Sequence, residues 1–458
     1  MKKFDAIIIG SGQAGTPLAF KMASQGKNVA FIEKEHLGGT CLNVGCTPTK
    51  AYVASARRMW DAHHGEDLGV IIPKGAYADL KKIKARKDAL IQKSVSGIAD
   101  SLEKADNITF FKAEAFFTGH KQVSVGNEEI TADQIFINVG ARPFVPSGYE
   151  EVSYLTSTSI LELEEIPDHL IIVGGSYIGL EFGQMFRRFG SRVTIVEMTD
   201  SIIGREDPET STVILEFLKE EGIDFRLQAT CITAKSEGDG NISVEVDCKT
   251  GGLPKITGTH VLLAVGRKAN TDTLNLDATG ITTNEKVYIE VDDYLQTNVP
   301  GIYALGDCNG KGAFTHTAYN DYEIVAENMF DGKQRKVSDR IMTYNLFVDP
   351  PMGRAGMTKK EAIANGYKVL EAKQEMSSIS RAKEKGETNG FMSALIDADT
   401  DKILGACVLG TGGDEITSSL LNVMYAKAPY QIIRDSVQPH PTISELIPTM
   451  LESLVKVS

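Results

Sequence analysis

The chain has 458 residues, more than one hydrophobic core supports, so two to four domains are expected. Apolar residues make up 42% and charged residues 24%, the balance of a soluble globular protein, and a net charge of −13 argues against nucleic acid or an anionic membrane surface as the main partner. Six cysteines are too few for a disulfide framework. "MKKFDAIIIG" reads as neither signal peptide nor bilayer span, so a cytoplasmic protein is expected. In that reducing compartment a close cysteine pair reads as catalytic, redox-active or metal-binding rather than structural.

The first pattern is "DAIIIGSGQAGTPLAFKMASQGKNVAFIEKE" (5–35): a buried strand, a Gly-rich turn, a helix and a second strand. Gly10, Gly12 and Gly15 fit GxGxxG. Gly10 permits the tight turn, Gly12 lets the backbone approach a pyrophosphate and Gly15 lets helix and sheet pack closely. Glu33, ending the second strand, can bond ribose hydroxyls.

"GGTCLNVGCTPTK" (38–50) follows, with Cys41 and Cys46 five residues apart. In a regular helix their Cα atoms would be about 8 to 9 Å apart, beyond the usual disulfide reach of about 7 Å. A break is therefore expected, with Gly45 allowing a bend and Pro48 suiting the first turn of a new helix. Cys46 at that helix start would gain thiolate character from the helix dipole, and Lys50 adds positive charge one turn later. A zinc site would need two more ligands at matching spacing, and no such pair exists, so no metal is expected. His63 and His64 fall in a polar stretch and read as solvated, and Cys231, Cys248, Cys308 and Cys407 read as inert packing residues. In "DLKKIKARKDALIQKSVSGIADSLEK" (79–104) the lysines mark the solvated face of a long helix.

A second copy of the first pattern occurs at "HLIIVGGSYIGLEFGQMFRRFGSRVTIVEM" (169–198). Gly174 and Gly179 frame the turn and Glu197 ends the strand, with the same interval from Gly174 to Glu197 as from Gly10 to Glu33. Ser176 replaces the middle glycine and either narrows the approach or bonds a phosphate through its hydroxyl. Glu197 would repel a 2′-phosphate, so this unit should prefer NAD(H) to NADP(H), with Arg192 and Arg205 nearby in sequence moderating that preference. Two dinucleotide sites beside a cysteine pair point to FAD and a nicotinamide cofactor. Near the end, "VQPHPTISE" (437–445) puts His440 ahead of Pro441, Thr442 and Glu445. Thr442 and Glu445 alone would make a capping box, whereas an imidazole oriented by a carboxylate suits proton exchange with thiols.

Together these segments resemble the class I pyridine nucleotide-disulfide oxidoreductases, the family of dihydrolipoyl dehydrogenase, glutathione reductase and mercuric reductase. The similarity runs over essentially the whole chain. "GGTCLNVGCTPTK" resembles the family's redox signature, while "INVGARP" (137–143) and "LAVGRKANT" (263–271) resemble its two crossover segments. "VPGIYALGDCNG" (299–310) is similar to its second FAD motif, and "FTHTA" (314–318) to the segment covering the flavin ring. Asn138 departs from the small residue or threonine common there.

The resemblance implies an α/β fold with two Rossmann-like dinucleotide-binding domains, for FAD and NAD, plus a C-terminal α/β dimerisation domain. The boundaries expected are 1–143 and 268–338 for the FAD domain, 144–267 for the NAD domain and 339–458 for the interface domain, the last carrying a hairpin in the alternating "GFMSALIDADTDKILGACVLG" (390–410). It further implies dinucleotide contacts from Gly39, Thr40, Lys50, Ala115, Gly140, Ser176, Tyr177, Ile178, Gly266, Asp307, Thr315 and His316, in addition to the two glycine turns with Glu33 and Glu197. Cys46 is implied as the flavin-side thiolate and Cys41 as the outer nucleophile. Lys50 would pair with Glu181 near the flavin, Tyr177 would swing aside for the nicotinamide, and His440, oriented by Glu445, would reach Cys41 of the other subunit of a homodimer.

The substrate implied is a small disulfide or lipoyl group, carried in one reading by a protein of a 2-oxo acid dehydrogenase complex. "GCTPTK" and "DPPMGRAGMT" are most similar to the mercuric-reductase-like branch, which implies metal-ion or quinone reduction as the alternative. Against mercury itself, "LESLVKVS" lacks a vicinal cysteine pair, no N-terminal CxxC domain is present, and His440 stands where that branch usually has tyrosine.

Overall fold

The computed structural model describes residues 1–73, 75–248 and 254–457, without the side chains of Cys231 and Cys248, so the packing expected of those two lies outside the described residues. The chain divides into two compact units. One comprises Met1–Ala51, Lys82–Phe144 and Gly266–Arg340, the other Tyr52–Lys81, Val145–Val265 and Ile341–Ser458.

The first unit is built on a seven-stranded sheet. Strands Ile108–Phe111, Val29–Ile32, Lys2–Ile9 and Glu128–Ile137 lie side by side in that order, all parallel, and Ile302–Ala304 adds in parallel to the last. An antiparallel meander of Ala115–Gly119 and Gln122–Val125 completes it. "VAFI" and the end of "KKFDAIII" are buried on both faces, as expected of central parallel strands covered by helices. Two apolar clusters sandwich the sheet, one with Ile7, Ile9, Ile135 and Ile302, the other with Ile8, Leu18, Phe31 and Ile324.

The second unit repeats this order. Asp224–Arg226, Arg192–Val196, His169–Val173 and His260–Leu263 are parallel neighbours, flanked by the helix Tyr177–Phe189 and a three-stranded antiparallel sheet. Its C-terminal part is a six-stranded sheet in which Phe391–Asp397 and Ile403–Leu409 form the expected hairpin. The alternation in that segment does not produce an open face: every residue of both strands is buried, because helices cover one side of a central hairpin and further chain the other.

The lysine-rich segment forms one helix, Leu80–Glu103. One of its charges is not solvated as expected. Lys87 is 1% exposed, with its ammonium 2.8 Å from Asp88 Oδ1. It stands seven residues after the buried Leu80, two turns along the same stripe, so helical period carries it inward.

Within the second unit, buried charge joins the nucleotide-type sheet to the six-stranded one. Arg188, on the helix Tyr177–Phe189, holds Glu221 at 2.7 Å and Asp349 at 2.5 Å, while Arg57 holds the other Asp349 oxygen at 2.9 Å. Gln184 and Asp349 exchange two hydrogen bonds of 2.7 and 2.8 Å, and the ring of Trp60, the only tryptophan, lies 4.5 Å from the Arg188 guanidinium. Replacing Arg188 by leucine leaves two mostly buried carboxylates short of a cation. The expected loss is about 3 kcal/mol of stability, read as a lowered thermal midpoint and a red-shifted Trp60 emission.

Candidate active site

The glycine turn of the first unit is shaped by backbone pressed on backbone. Gly10 has φ +103°, and a Cβ there would stand 2.2 Å from the Asn138 carbonyl oxygen. A Cβ on Gly15 would stand 2.1 Å from Gly10 O, and one on Gly12 2.8 Å from Asn138 Oδ1. Glu33 closes the turn: its Oε2 accepts the Ser11 N–H at 3.0 Å and the Ser11 hydroxyl at 2.7 Å, and its Oε1 the Glu35 N–H at 2.7 Å.

The second turn repeats this atom for atom. Gly174 (φ +111°) is pressed on Ala264 O and Gly179 on Gly174 O, at 2.5 and 2.0 Å from the Cβ each would carry. Glu197 accepts the Gly175 N–H at 2.7 Å and the Thr199 N–H at 2.9 Å, the same two relative positions that Glu33 uses. Ser176 is exposed where the middle glycine would be, followed by half-buried Tyr177 and Ile178 at the helix start. Arg192 sits at the opposite end of its strand from Glu197, where it faces Asp224 at 3.4 Å.

Asn138, flagged as a departure, has a structural task. Its Oδ1 accepts the Gly15 N–H and its Nδ2 donates to Leu305 O, both at 2.8 Å and both buried. It thereby ties the glycine turn to the segment that carries Asp307. That segment is braced again by Asp321, 2% exposed, which accepts the Gly306 N–H at 2.8 Å and the Asn309 amide at 3.0 Å and is ion-paired with Arg340. Asp307 is half-buried, with Arg267 3.9 Å away; burial raises its carboxyl above the usual range and the guanidinium opposes this. The crossover strands Ala141–Pro143 and Arg267–Ala269 pair antiparallel, each entered through a left-handed glycine, Gly140 and Gly266. Ala115 is buried at the start of its strand.

The cysteine segment lies directly on this frame. Gly38 and Gly39 both have positive φ, and a Cβ on Gly39 would stand 2.8 Å from Gly12 Cα. Cys41 lies in the short helix Gly39–Asn43, beside exposed Thr40, and Cys46 opens the helix Cys46–His64, with Pro48 in its first turn and half-buried Lys50 one turn on. The expected break is present. Gly45 serves it through close approach, since a Cβ there would stand 2.9 Å from Thr40 O and 3.0 Å from Cys41 Cα.

Both sulfurs meet one hydroxyl. Thr315 Oγ1 donates to Cys41 Sγ at 3.0 Å and lies 3.2 Å from Cys46 Sγ. Thr315 starts the helix Thr315–Phe330, beside exposed His316, whose ring stacks on Phe314. The hydrogen bond to the neighbouring Cys46 sulfur, with burial, pushes the Cys41 thiol well above its usual range, because two adjacent sulfurs resist carrying two negative charges. Among the described residues no three of His, Cys, Asp or Glu converge as a metal site, and Cys308 and Cys407 are buried.

In the second unit His440 Nδ1 and Glu445 Oε2 are 2.8 Å apart, the imidazole exposed and the carboxylate mostly buried. Half of the capping box also forms, with the Glu445 N–H donating to Thr442 Oγ1 at 3.1 Å, but the Glu445 carboxylate goes to the histidine instead of closing the box. Glu181, 7% exposed, accepts the Phe347 N–H at 2.9 Å. His63 and His64 are exposed, as expected, the His64 ring stacking on Trp60 with centroids 3.6 Å apart. The residue roles of Asn138, Asp321 and Arg267 were not read from sequence, because their partners lie far away in the chain.

Two glycine turns each closed by an acid at a strand end, a sulfur pair seated on the first turn and a carboxylate-held imidazole define a flavin- and nicotinamide-type thiol redox protein. The residues fit both dinucleotides: side chains are excluded at the first turn where a pyrophosphate would approach, a small exposed serine stands at that position in the second, and an acid stands at each strand end. Comparison with known proteins agrees. Residues 4–321 match the pyridine nucleotide-disulphide oxidoreductase family and 342–451 its dimerisation domain, so the chain belongs to this family. It is 33% identical to the probable pyridine nucleotide-disulfide oxidoreductase RclA of Escherichia coli K12 over the whole of both chains. It is 33% identical to a mercuric reductase of Staphylococcus aureus, over 96% of this chain and 81% of that one, and 32% to a dihydrolipoyl dehydrogenase of the same species, over 96% and 94%. A solved structure described as the Cu(II) complex of the HOCl-induced flavoprotein disulfide reductase RclA superposes with a TM-score of 0.89 at 32% identity, covering 99% of each chain. The protein is therefore an FAD-dependent enzyme of the disulfide reductase class with a pyridine nucleotide partner and a dimerisation domain. Among the described residues no helix is long and apolar enough to cross a membrane.

Two outcomes follow from this geometry. Removing the shared hydroxyl with Thr315→Val takes a donor from the Cys41 sulfur and so moves the pH profile of iodoacetamide alkylation of the reduced pair to higher pH. Asn138→Ala leaves the Gly15 N–H and the Leu305 carbonyl without their buried partner. Release of FAD, followed by the rise of its fluorescence, should then become roughly tenfold faster or more.

Proposed function

We propose that this enzyme transfers electrons from NADH to a small disulfide of the lipoamide type through the Cys41–Cys46 pair. Bound FAD supplies the two-electron relay between nicotinamide and sulfur. Overall, NADH, a proton and the substrate disulfide become NAD⁺ and two thiols. The observation that carries the reading is the meeting of Cys41 and Cys46 on one Thr315 hydroxyl, in a segment packed against the first glycine turn.

In this reading Cys41 attacks the substrate disulfide and Cys46 resolves the mixed disulfide. The raised Cys41 thiol needs a base to become a nucleophile. His440 of a second subunit takes that proton at Nε2, while Glu445 holds its Nδ1. Lys50 and Glu181 set the charge beside the flavin, and Tyr177 covers the nicotinamide position until the nucleotide arrives. Gly39, Thr40, Ala115, Gly140, Gly266, Asp307, Thr315 and His316 line the FAD site. Glu197 favours NADH by placing negative charge where a 2′-phosphate would sit, and Arg192 points elsewhere. The enzyme works in the cytoplasm, on a free substrate or on one carried by a lipoyl protein of a 2-oxo acid dehydrogenase complex.

A second reading, reduction of a metal ion or quinone, is favoured by the superposition on a relative solved as its Cu(II) complex. Steady-state NADH oxidation with lipoamide, glutathione disulfide, Cu(II), Hg(II) and quinones separates the two. The expected result is lipoamide turnover that Cys46→Ser abolishes and His440→Gln lowers by about 10² to 10⁴. Turnover of Cu(II) or a quinone alone would replace the first reading with the second, and full disulfide turnover by Cys46→Ser would overturn the sulfur relay.

A further inference from the structure

Tyr177 is not loose in the second unit. Its hydroxyl donates to Glu206 Oε1 at 3.3 Å, and the same oxygen accepts the Tyr344 hydroxyl at 2.5 Å. The two phenol rings meet edge to face, with centroids 5.6 Å apart and planes at 77°. The other Glu206 oxygen accepts Arg354 Nε at 3.0 Å, and the Arg354 guanidinium also reaches Asp207 at 3.3 Å. Arg354 is 2% exposed and the Glu206 carboxylate is wholly buried. Glu206 follows the second glycine turn, whereas Tyr344 and Arg354 face each other across neighbouring strands of the six-stranded sheet. Burial together with the Glu206 charge pushes both phenols above their usual range, so both remain protonated donors.

We propose that Tyr344, Glu206 and Arg354 form a latch that holds Tyr177 in its closed position and thereby sets the affinity of the enzyme for the nicotinamide half of its nucleotide. The proposal rests on the reading of Tyr177 as the cover of that position. Moving Tyr177 aside breaks its bond to a charged, desolvated acceptor and opens the edge-to-face contact with Tyr344. Nucleotide binding must supply that free energy, so it is subtracted from the observed affinity. Arg354 supplies the cation paired with the wholly buried Glu206 side chain. Tyr344 is a positioning residue: it reaches the nucleotide only through Tyr177 and Glu206.

Calorimetric titration of the oxidised holoenzyme with NAD⁺ and, separately, with ADP-ribose, which lacks the nicotinamide, tests this. Glu206→Gln, in which Arg354 keeps Asp207, weakens the bond that holds Tyr177. The expected result is a Kd for NAD⁺ lowered roughly threefold to tenfold, with the Kd for ADP-ribose unmoved. Tyr177→Ala should tighten NAD⁺ at least as much, and the double variant no further, because both act through one motion. Tyr344→Leu, which removes the edge-to-face contact, provides a second loosening with the same expected sign should Glu206→Gln fold poorly. Tightening by Tyr177→Ala without any by Glu206→Gln or Tyr344→Leu would overturn the latch and leave the cover standing. An NAD⁺ affinity unmoved by Tyr177→Ala would remove the cover, and the latch with it. Parallel tightening of ADP-ribose would mean general loosening of the nucleotide site and would overturn the latch as well.

Discussion

The site depends on main chain packed against main chain where no side-chain carbon fits. Gly10 lies on the Asn138 carbonyl, Gly15 on Gly10, Gly39 on Gly12 and Gly45 on Cys41. Each contact is closer than a Cβ permits, so the cysteine segment, the glycine turn and the crossover strand form one continuous stack in the first unit. Two sulfurs five residues apart are brought to a single hydroxyl because the segment between them ends one helix, passes through Gly45 and starts another. A regular helix through the same residues would hold them apart.

Upon this frame the protein distributes its buried charge economically. Glu33 and Glu197 each accept two backbone N–H groups of their own turn, which orients an anion at the strand end without a counter-cation. Asp321 braces the turn carrying Asp307 by accepting one backbone N–H, from Gly306, and the Asn309 side-chain amide, and it is paired with Arg340. In the second unit the carboxylates are shared instead: Asp349 between Arg57 and Arg188, Glu206 between Arg354 and two phenols. The first mode makes a rigid platform for a ligand. The second joins two sheets, and in the case of Glu206 it includes Tyr177, the side chain that moves in the proposed latch.

What was legible in the sequence is what works through local spacing. Glycine to glycine to acid at equal intervals, cysteines around Gly45, and an imidazole five residues before a glutamate each describe one turn of backbone, and the fold class and family follow from them. Asn138 looked like a departure because its partners, Gly15 and Leu305, lie 123 and 167 residues away. Lys87 is one lysine among many in a charged helix, and only the helical period from Leu80, seven residues earlier, marks it as inward. Glu206 and Arg354 are 148 residues apart, and the only trace of their pairing is a lone arginine in the apolar strand "MGRAG".

The same division explains why reaction class is plainer than substrate. The relatives named mercuric reductase and dihydrolipoyl dehydrogenase are nearly equally identical to this chain, 33% and 32%, so overall similarity does not separate their substrates. In this chain the backbone stack tolerates little beyond glycine at its contacts, which suits the close approach of a dinucleotide beside the sulfur pair. In the proposed function and the proposed latch, selectivity falls to side chains that the stack does not constrain, among them the imidazole at 440 and the phenol at 344. Each of these acts through a hydrogen bond to a carboxylate, and exchanging such a partner alters affinity or proton transfer while leaving the glycine turns untouched. A redox frame set by main chain and a specificity layer set by hydrogen-bonded side chains can thus change independently of one another.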